Sequence, residues 1–114
     1  MSDCLFCRIV RGEVPAKLVH QDADTVAFQD INPQAPVHLL VVPRRHVANL
    51  NELGPGDEAL AGKLLRVAAS LARERGLAEG GWRAVMNTNR DGGQTVFHLH
   101  VHVLGGRQMT WPPG

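Results

Sequence analysis

Apolar and polar positions along the chain follow two periods, and each period predicts a different kind of element. Residues 37–43, VHLLVVP, are almost continuously aliphatic and β-branched, which predicts a strand buried on both faces. Residues 18–20 and 25–29 flank the polar sequence QDAD and predict a β-hairpin. Residues 82–88 and 96–104 predict two further strands, the last with histidines at alternate positions.

Helical periodicity dominates one long segment, from about Pro55 to Arg75. Apolar side chains recur there at three- and four-residue spacing, Pro55 suits the first turn, and Gly76 suits the C-terminal end. A short helix over residues 4–10, capped by Asp3, is predicted before the first strand. This order of elements fits the α+β class best, with a helix on one face of a mostly antiparallel sheet. A chain of 114 residues suffices for a single domain with one core.

Charge and composition exclude several classes of function. The formal net charge is +1, from 12 basic and 11 acidic residues. Because the basic residues are scattered, we expect neither a nucleic-acid partner nor a membrane partner. No apolar run approaches the roughly 20 residues of a membrane span, and MSDCLFCRIV lacks the pattern of a secretory signal. Two cysteines are too few for a secreted disulfide scaffold, so we expect a cytoplasmic protein that binds a small ligand.

Three of the six histidines, His98, His100 and His102, alternate with apolar residues. In a strand these imidazoles would share one face, while Leu99 and Val101 would pack in the core. At about 3.3 Å per residue the outer two Cα atoms would lie about 13 Å apart, so binding of one metal ion by all three is strained. A solvated strand face is the alternative, but three alternating histidines favour a shared chemical site.

Imidazole suits nucleotidyl transfer because its neutral ring nitrogen is a good nucleophile near pH 7. The flanking rings disfavour protonation of His100 through like-charge repulsion. We therefore predict that His100 attacks phosphorus and that His102 holds a phosphate oxygen. The preceding residues 91–95, DGGQT, favour a nest of backbone N–H groups around that phosphate, although DGG alone is also typical of an ordinary turn.

Residues 98–104, HLHVHVL, resemble the signature of the histidine triad (HIT) superfamily. The resemblance covers nearly the whole chain, through FCRIVRGEVPAKLV, AFQDINPQAPVHLLVVPRRHV and DGGQTVFHLHVHVLGGRQMTWPPG. The last sequence is similar to the histidine triad nucleotide-binding branch. The resemblance implies one HIT domain over residues 1–114, with a five-stranded antiparallel sheet, one long helix and one short helix. It also implies a homodimer in which two such sheets are joined.

The same resemblance implies hydrolysis of purine nucleoside phosphoramidates to a nucleoside monophosphate and an amine, without a catalytic metal. His100 matches the nucleophile that forms a nucleotidyl-histidine intermediate. Asp30 matches the acidic residue that accepts hydrogen bonds from the ribose hydroxyls, which suits an ionised carboxylate. The implied catalytic residues are His38, Thr95, His100 and His102. The implied nucleotide contacts are Leu5, Phe6, Ile9, Phe28, Asp30, Ile31, Leu40, Asn87, Gly93, Gln94, Thr95, His100 and His102.

Some of these side chains also suit a plain structural role. Phe6 and Phe28 are typical core residues, and His38 lies on the inward face of its predicted strand. The chain departs from the branch at Thr95, where serine is usual, and at Thr110, where histidine is common in animal members. The preferred leaving amine is therefore left open, as is the choice between adenine and guanine.

Cys4 and Cys7 have the CxxC spacing of a zinc site, which needs two more ligands. Similar proteins with this pair complete the site with the histidine after PRR and the first histidine of the triad. The implied structural zinc ligands are therefore Cys4, Cys7, His46 and His98. Two buried thiols in a short helix are the alternative.

Two other functions stay open from the sequence. One is hydrolysis or nucleotidyl transfer on dinucleoside polyphosphates, and the other is a nucleotide-binding scaffold whose turnover is incidental.

Overall fold

Residues 4–114 are described by a computed structural model, and their architecture is the α+β class that the sequence predicts. Two 3₁₀ turns, Leu50–Glu52 and Pro55–Asp57, precede the long helix. In chain order the helices and strands are α1 (Leu5–Val10), β1 (Leu18–Gln21), β2 (Thr25–Gln29), β3 (Val37–Pro43), α2 (Glu58–Glu74), β4 (Trp82–Val85), α3 (Asn89–Gly92) and β5 (Val101–Gly105).

The five strands form one antiparallel sheet in the order β1-β2-β3-β5-β4. Central β3 is buried along its last six residues, as its continuous apolar pattern predicts. Alternate residues of β3 enter two different apolar layers. Leu39 and Val41 join the core beneath α2, whereas Leu40 and Val42 join a second cluster with Phe6 of α1. The sheet therefore separates the main core from a layer that α1 covers.

Helix α2 confirms the long helix that periodicity predicts. Pro55 opens a 3₁₀ turn, the Asp57 carboxylate accepts from the N–H of Gly54 at 2.9 Å, and the α-helix begins at Glu58. Its inner face buries five apolar side chains, and each large one contributes about 1.5–3 kcal/mol relative to exposure. Gly76, at φ +76°, ends the helix as predicted. No helix in the part of the chain that the structure describes is long and apolar enough to cross a membrane.

The last strand is shorter than predicted, because it begins at Val101 and not at residue 96. Val41 pairs with Val101, so two positions further along this register Pro43 would pair with Leu99. Proline has no N–H to donate to a ladder, and pairing ends there. The N–H of Leu99 donates instead to the carbonyl of Val47 at 2.6 Å. His98 and His100 therefore precede the strand, while His102 lies in it.

One further prediction needs correction in its boundary. Strand β4 ends at Val85 and not at residue 88, and the connection from β4 to β5 contains the single-turn helix α3. The short N-terminal helix is present as α1, with Cys4 as its N-cap. The capping role predicted for Asp3 lies outside the described residues.

Candidate active site

A cavity of about 380 Å³ lies between α1, the residues after β2 and the start of β5, a size suited to a small ligand. Most of the predicted nucleotide contacts line it, namely Leu5, Phe6, Ile9, Phe28, Asp30, Ile31, Leu40, Thr95, His100 and His102. The predicted catalytic residue His38 lines it too. Ile31 stands at the rim with 94% of its surface exposed. The fold thus brings residues from distant parts of the chain into one pocket.

Three predicted contacts, Asn87, Gly93 and Gln94, do not line this cavity. In the phosphate nest predicted at residues 91–95, two backbone amides are already bonded within the protein. The N–H of Gly93 donates to the carbonyl of Arg90, and the N–H of Gln94 donates to the carbonyl of Asn89, both at 3.0 Å. The α3 turn therefore closes on itself.

The side chain of Gln94 is buried and fully engaged within the protein. Its Oε1 accepts from the N–H of Asn89 at 2.8 Å and from Nδ2 of Asn49 at 3.3 Å. Its Nε2 donates to the carbonyls of Ala48 at 2.8 Å and Val96 at 3.1 Å. Gln94 therefore shapes the chain leading to the histidines, and no polar atom of its side chain is left for a ligand.

The hydrogen bond at Nδ1 of His100 defines how this ring can react. Nδ1–H donates to the carbonyl of His98 at 2.7 Å, so the proton is on Nδ1 and the lone pair is on Nε2. Burial lowers the pKa of His100, although the His98 carbonyl opposes that shift. The ring of Phe6 packs edge-on against it at a centroid distance of 5.1 Å. His100 is thus a neutral imidazole, held at one nitrogen and nucleophilic at the other.

A chain of hydrogen bonds sets the proton positions on His38 and His102. The N–H of Gln34 donates to Nδ1 of His38 at 3.0 Å, so His38 carries its proton on Nε2. That Nε2–H donates to Nδ1 of His102 at 2.9 Å. His102 must then carry its proton on Nε2, the nitrogen of its ring that remains free. The Nε2–H of His102 is therefore a donor suited to an anionic oxygen.

Electrostatics keep this pair of imidazoles neutral. Burial lowers the pKa of His38, while Asp30 opposes the shift. Burial, His100 and His38 together lower the pKa of His102 to about 4. The 3.4 Å approach of the Asp30 carboxylate to Nε2 of His38 has the geometry of an ion pair, but the bond from Gln34 requires an unprotonated Nδ1. We therefore regard the His38 ring as neutral.

Asp30, His38 and His102 also have the spacing of a metal site. The protonation states of the two histidines argue against a metal ion there. A metal at Nε2 of His38 would displace its proton to Nδ1. That nitrogen already accepts from the N–H of Gln34, so two N–H groups would then face each other. The Asp30 carboxylate uses Oδ1 to accept from the N–H of Asn32 at 2.8 Å. Its Oδ2 can accept a hydrogen bond from a hydroxyl group of a ligand.

A second cluster, of Cys4, Cys7, His46 and His98, lies beside the pocket at the start of α1. His98 is fully buried, and its Nε2–H donates to the carbonyl of Pro43 at 2.8 Å. The Nδ1 lone pair of His98 therefore faces the other three members. It lies 3.3 Å from the sulfur of Cys4, 3.5 Å from that of Cys7 and 3.2 Å from Nδ1 of His46.

The donor set of this cluster fits zinc. For tetrahedral zinc, bonds of about 2.3 Å to sulfur and about 2.0–2.1 Å to nitrogen place a sulfur and a nitrogen ligand about 3.5–3.6 Å apart and two nitrogen ligands about 3.3–3.4 Å apart. The sulfur–nitrogen separations of 3.3–3.5 Å and the nitrogen–nitrogen separation of 3.2 Å come within about 0.3 Å of those values. Four protein ligands leave no open position, so such an ion would have a structural role.

The sequence did not point to several residues of the pocket. Val14, Pro15, Ala16, Gln29, Asn32, Gln34 and Val96 also line it. Most of them lie in connections, where no periodic pattern exists to reveal which way they face. The contribution of Gln34 to the hydrogen-bond chain is made by its backbone, which carries no residue-type signal at all.

Comparison with known proteins places this site in a class. The HIT domain family matches residues 11–109, and the chain belongs to that family. It is 44% identical over 108 residues to the purine nucleoside phosphoramidase of Escherichia coli K12, covering 95% of this chain and 91% of the relative. It is 50% identical over 113 residues to a HIT-like protein of Synechococcus elongatus, covering 99% and 98%.

The fold agrees with solved structures of the family. The HIT family hydrolase from Legionella pneumophila Philadelphia 1 superposes with a TM-score of 0.97 at 52% sequence identity, covering 98% of this chain and all of that chain. A histidine triad protein from Clostridium difficile superposes with a TM-score of 0.93 at 38% identity, with 96% of each chain covered. The predicted family and the predicted five-stranded fold are therefore confirmed, whereas the homodimer stays a prediction.

Proposed function

We propose that this protein hydrolyses purine nucleoside phosphoramidates through a covalent intermediate on His100. The observation that carries the proposal is the proton position on that ring. Nδ1–H is bound to the His98 carbonyl, and Nε2 is a free nucleophile in the wall of the pocket. The similarity to the Escherichia coli purine nucleoside phosphoramidase supports the same reaction class.

The pocket residues suggest how such a substrate would bind. Phe6, Ile9 and Phe28 offer an apolar wall to a purine. Oδ2 of Asp30, which lies 3.4 Å from Nε2 of His38, suits the vicinal ribose hydroxyls. The phosphate would then lie near His100 and His102, where the Nε2–H of His102 donates to a phosphate oxygen.

The reaction would occur in two balanced steps. Nε2 of His100 attacks phosphorus, and the bond from phosphorus to the amine nitrogen breaks as that nitrogen gains a proton. Thr95 lines the pocket, and its hydroxyl would donate that proton. Water then attacks phosphorus and returns a proton to Thr95, which breaks the bond to His100 and releases the nucleoside monophosphate. His102, held in its Nε2–H form by His38, stabilises the developing charge in both steps.

We also propose a structural zinc ion held by Cys4, Cys7, His46 and His98. The matching ligand separations and the lone pair of His98 aimed into the cluster support it. The ion would fasten α1 to the residues after β3 and before β5, and the proposed reaction takes no chemistry from it.

A homodimer is the proposed assembly. Among residues 4–114, β4 is an outermost strand with one free edge, and such edges readily pair with another chain.

The proposed reaction is tested by the substitution His100→Ala. Adenosine phosphoramidate turnover should fall by at least about a thousandfold, because removing a nucleophile removes the covalent route. Release of adenosine monophosphate is measured by chromatography. In a second measurement, the wild-type protein is denatured during turnover, and mass spectrometry determines whether it carries a covalently attached nucleotide. Nearly full activity in the His100→Ala variant would refute the proposed mechanism.

The same assay separates the two other functions that the sequence leaves open. A dinucleoside polyphosphate is supplied at the same concentration as the phosphoramidate. Faster cleavage of the dinucleotide would favour the polyphosphate hydrolase. Tight binding of adenosine monophosphate, with negligible turnover of both substrates, would favour the scaffold.

A further inference from the structure

We propose that the Cys4, Cys7, His46 and His98 cluster controls nucleotide affinity. Metal binding there holds α1 against the pocket, and α1 supplies the apolar wall formed by Leu5, Phe6 and Ile9, termed here the α1 wall. The inference rests on the proposed function in one respect, since it takes a purine nucleoside monophosphate as the ligand. It extends that function by joining the structural cluster to substrate binding.

Helix α1 has little stability of its own. It is six residues long, well below the roughly 12–15 residues at which isolated helices become marginally stable. The main-chain bonds around it, such as Arg11 N–H to Cys7 O and Glu13 N–H to Arg8 O, stay within the same stretch. Among residues 4–114, no main-chain hydrogen bond joins α1 to the sheet. Its position therefore depends on side chains.

Two groups of side chains attach α1 to the rest of the protein. Phe6 and Ile9 are buried in the second apolar cluster, which contributes about 1.5–3 kcal/mol per large side chain. The other attachment is made by the sulfurs of Cys4 and Cys7 to the imidazoles of His46 and His98. A metal ion shared by these four groups would turn weak contacts between sulfur and nitrogen into coordinate bonds.

The α1 wall is directly coupled to the two cysteines. Phe6 lies between Cys4 and Cys7 in the chain and packs edge-on against Phe28 at 5.3 Å and against His100 at 5.1 Å between ring centroids. A movement of either cysteine therefore carries the Phe6 ring with it. Freeing this end of α1 would open the purine side of the pocket to water.

The nucleophile, in contrast, keeps its support when the metal leaves. His98 is fully buried and remains bound to the carbonyl of Pro43 through Nε2. Its own carbonyl still accepts from Nδ1 of His100. Loss of the metal should therefore weaken nucleotide binding and leave the chemical step nearly unchanged. If α1 is docked in one molecule out of ten without metal, the apparent Kd rises about tenfold.

The test compares the full-length protein in zinc-loaded, chelator-treated and zinc-reloaded forms. Adenosine monophosphate binding is measured by calorimetry, and amide hydrogen exchange is followed over residues 5–10. We expect metal removal to raise the Kd about tenfold and to accelerate exchange in α1, with kcat at saturating phosphoramidate changed by less than about threefold. Reloading with zinc chloride should restore the wild type but not the double variant Cys4→Ser/Cys7→Ser.

Arg8→Ala provides the matched control on the same helix. Arg8 is exposed and lies 3.8 Å from the Glu13 carboxylate, so its loss alters α1 without touching the cluster or the pocket. This variant should bind zinc and adenosine monophosphate as the wild type does.

Three results would overturn the inference while the proposed function stands. They are an unchanged Kd after metal removal, a loss of kcat with unchanged Kd, and a protein that turns over phosphoramidate but binds no zinc. A protein that neither binds adenosine monophosphate nor turns over phosphoramidate would instead refute the proposed function. In that case the response of α1 exchange to zinc still decides whether metal docks this helix.

Discussion

Replacement of His38 by alanine tests whether the hydrogen-bond chain controls catalysis. Nδ1 of His38 accepts a hydrogen bond from the N–H of Gln34 at 3.0 Å, and Nε2–H of His38 donates to Nδ1 of His102 at 2.9 Å. In the proposed reaction it touches neither phosphorus nor the leaving amine, and it acts by holding His102 in the form with its proton on Nε2. His38→Ala removes that constraint and leaves Nδ1 of His102 without its donor.

The size of the effect follows from the one hydrogen bond that selects the protonated nitrogen. A neutral hydrogen bond contributes about 0.5–1.5 kcal/mol net, which corresponds to a factor of about 2–13 in the ratio of the two tautomers. Because only molecules with the proton on Nε2 keep the phosphate donor, kcat should fall, by at most about 13-fold. The KM should change less than kcat, since the α1 wall is untouched and Asp30 loses only its 3.4 Å contact with Nε2 of His38.

The pH profile gives a second and independent readout. The pKa of His102 is lowered to about 4 by burial, His100 and His38, so the wild-type ring stays neutral above about pH 4. His38→Ala admits water and removes one of these causes, so the pKa rises toward its ordinary value of about 6.5. Protonated His102 carries a proton on both ring nitrogens, so acidification should return the Nε2–H donor to His38→Ala. The deficit in kcat of the variant relative to the wild type should therefore shrink as the pH falls toward 5.

The assay is steady-state hydrolysis of adenosine phosphoramidate between pH 5 and pH 9. His38→Gln is the conservative variant, because its side-chain amide can donate to Nδ1 of His102 and should recover part of kcat. His20→Ala serves as a control, since His20 is partly buried, is bonded to Asp22 and does not line the pocket. An unchanged kcat in His38→Ala, or a deficit in kcat as large at pH 5 as at pH 9, would refute the reasoning.

Two further outcomes test the fold and the assembly. Asp22→Asn should lower the free energy of unfolding by about 2–4 kcal/mol in urea at pH 7, because the carboxylate accepts from the N–H groups of Asp24 and Thr25 and from the Thr25 hydroxyl, each at 2.8 Å. Burial opposes the shift, but bonds from His20 and these groups hold the pKa of Asp22 far below its usual range. The difference should therefore shrink below about pH 4, and equal stabilities at pH 7 would contradict it. Light scattering should give twice the mass of the chain for the proposed dimer, and a monomer at micromolar concentration would exclude it.

The sequence alone predicted those features that depend on local periodicity and residue type. The continuous apolar run of β3 and the helical spacing of α2 were sufficient to place both elements. Alternation at His100 and His102 correctly placed both side chains in one pocket. The grouping of Cys4 and Cys7 with two histidines came from the resemblance to the family, and the structure brings all four together.

What the sequence could not predict depends on contacts between distant residues. The start of β5 is decided by its register against β3, which puts Pro43 opposite Leu99. The residue type of Gln94 suits a phosphate contact. In the folded chain, however, its side-chain amide is fully hydrogen-bonded to the backbone N–H of Asn89 and to backbone carbonyls such as that of Ala48. The protonated nitrogen of His38 is chosen by the backbone of Gln34, which no side-chain pattern reveals.

The proline that ends β3 also divides the histidine segment by its expected motion. His102 lies in a paired strand, so its backbone should open only together with the sheet. His98 and His100 precede the paired region and are held by individual bonds, such as that from Leu99 N–H to the Val47 carbonyl. The proposed nucleophile thus lies on an unpaired segment held by single hydrogen bonds and side-chain packing, beside an anion donor on a paired strand. We expect any displacement that brings phosphorus to His100 to fall on the unpaired segment.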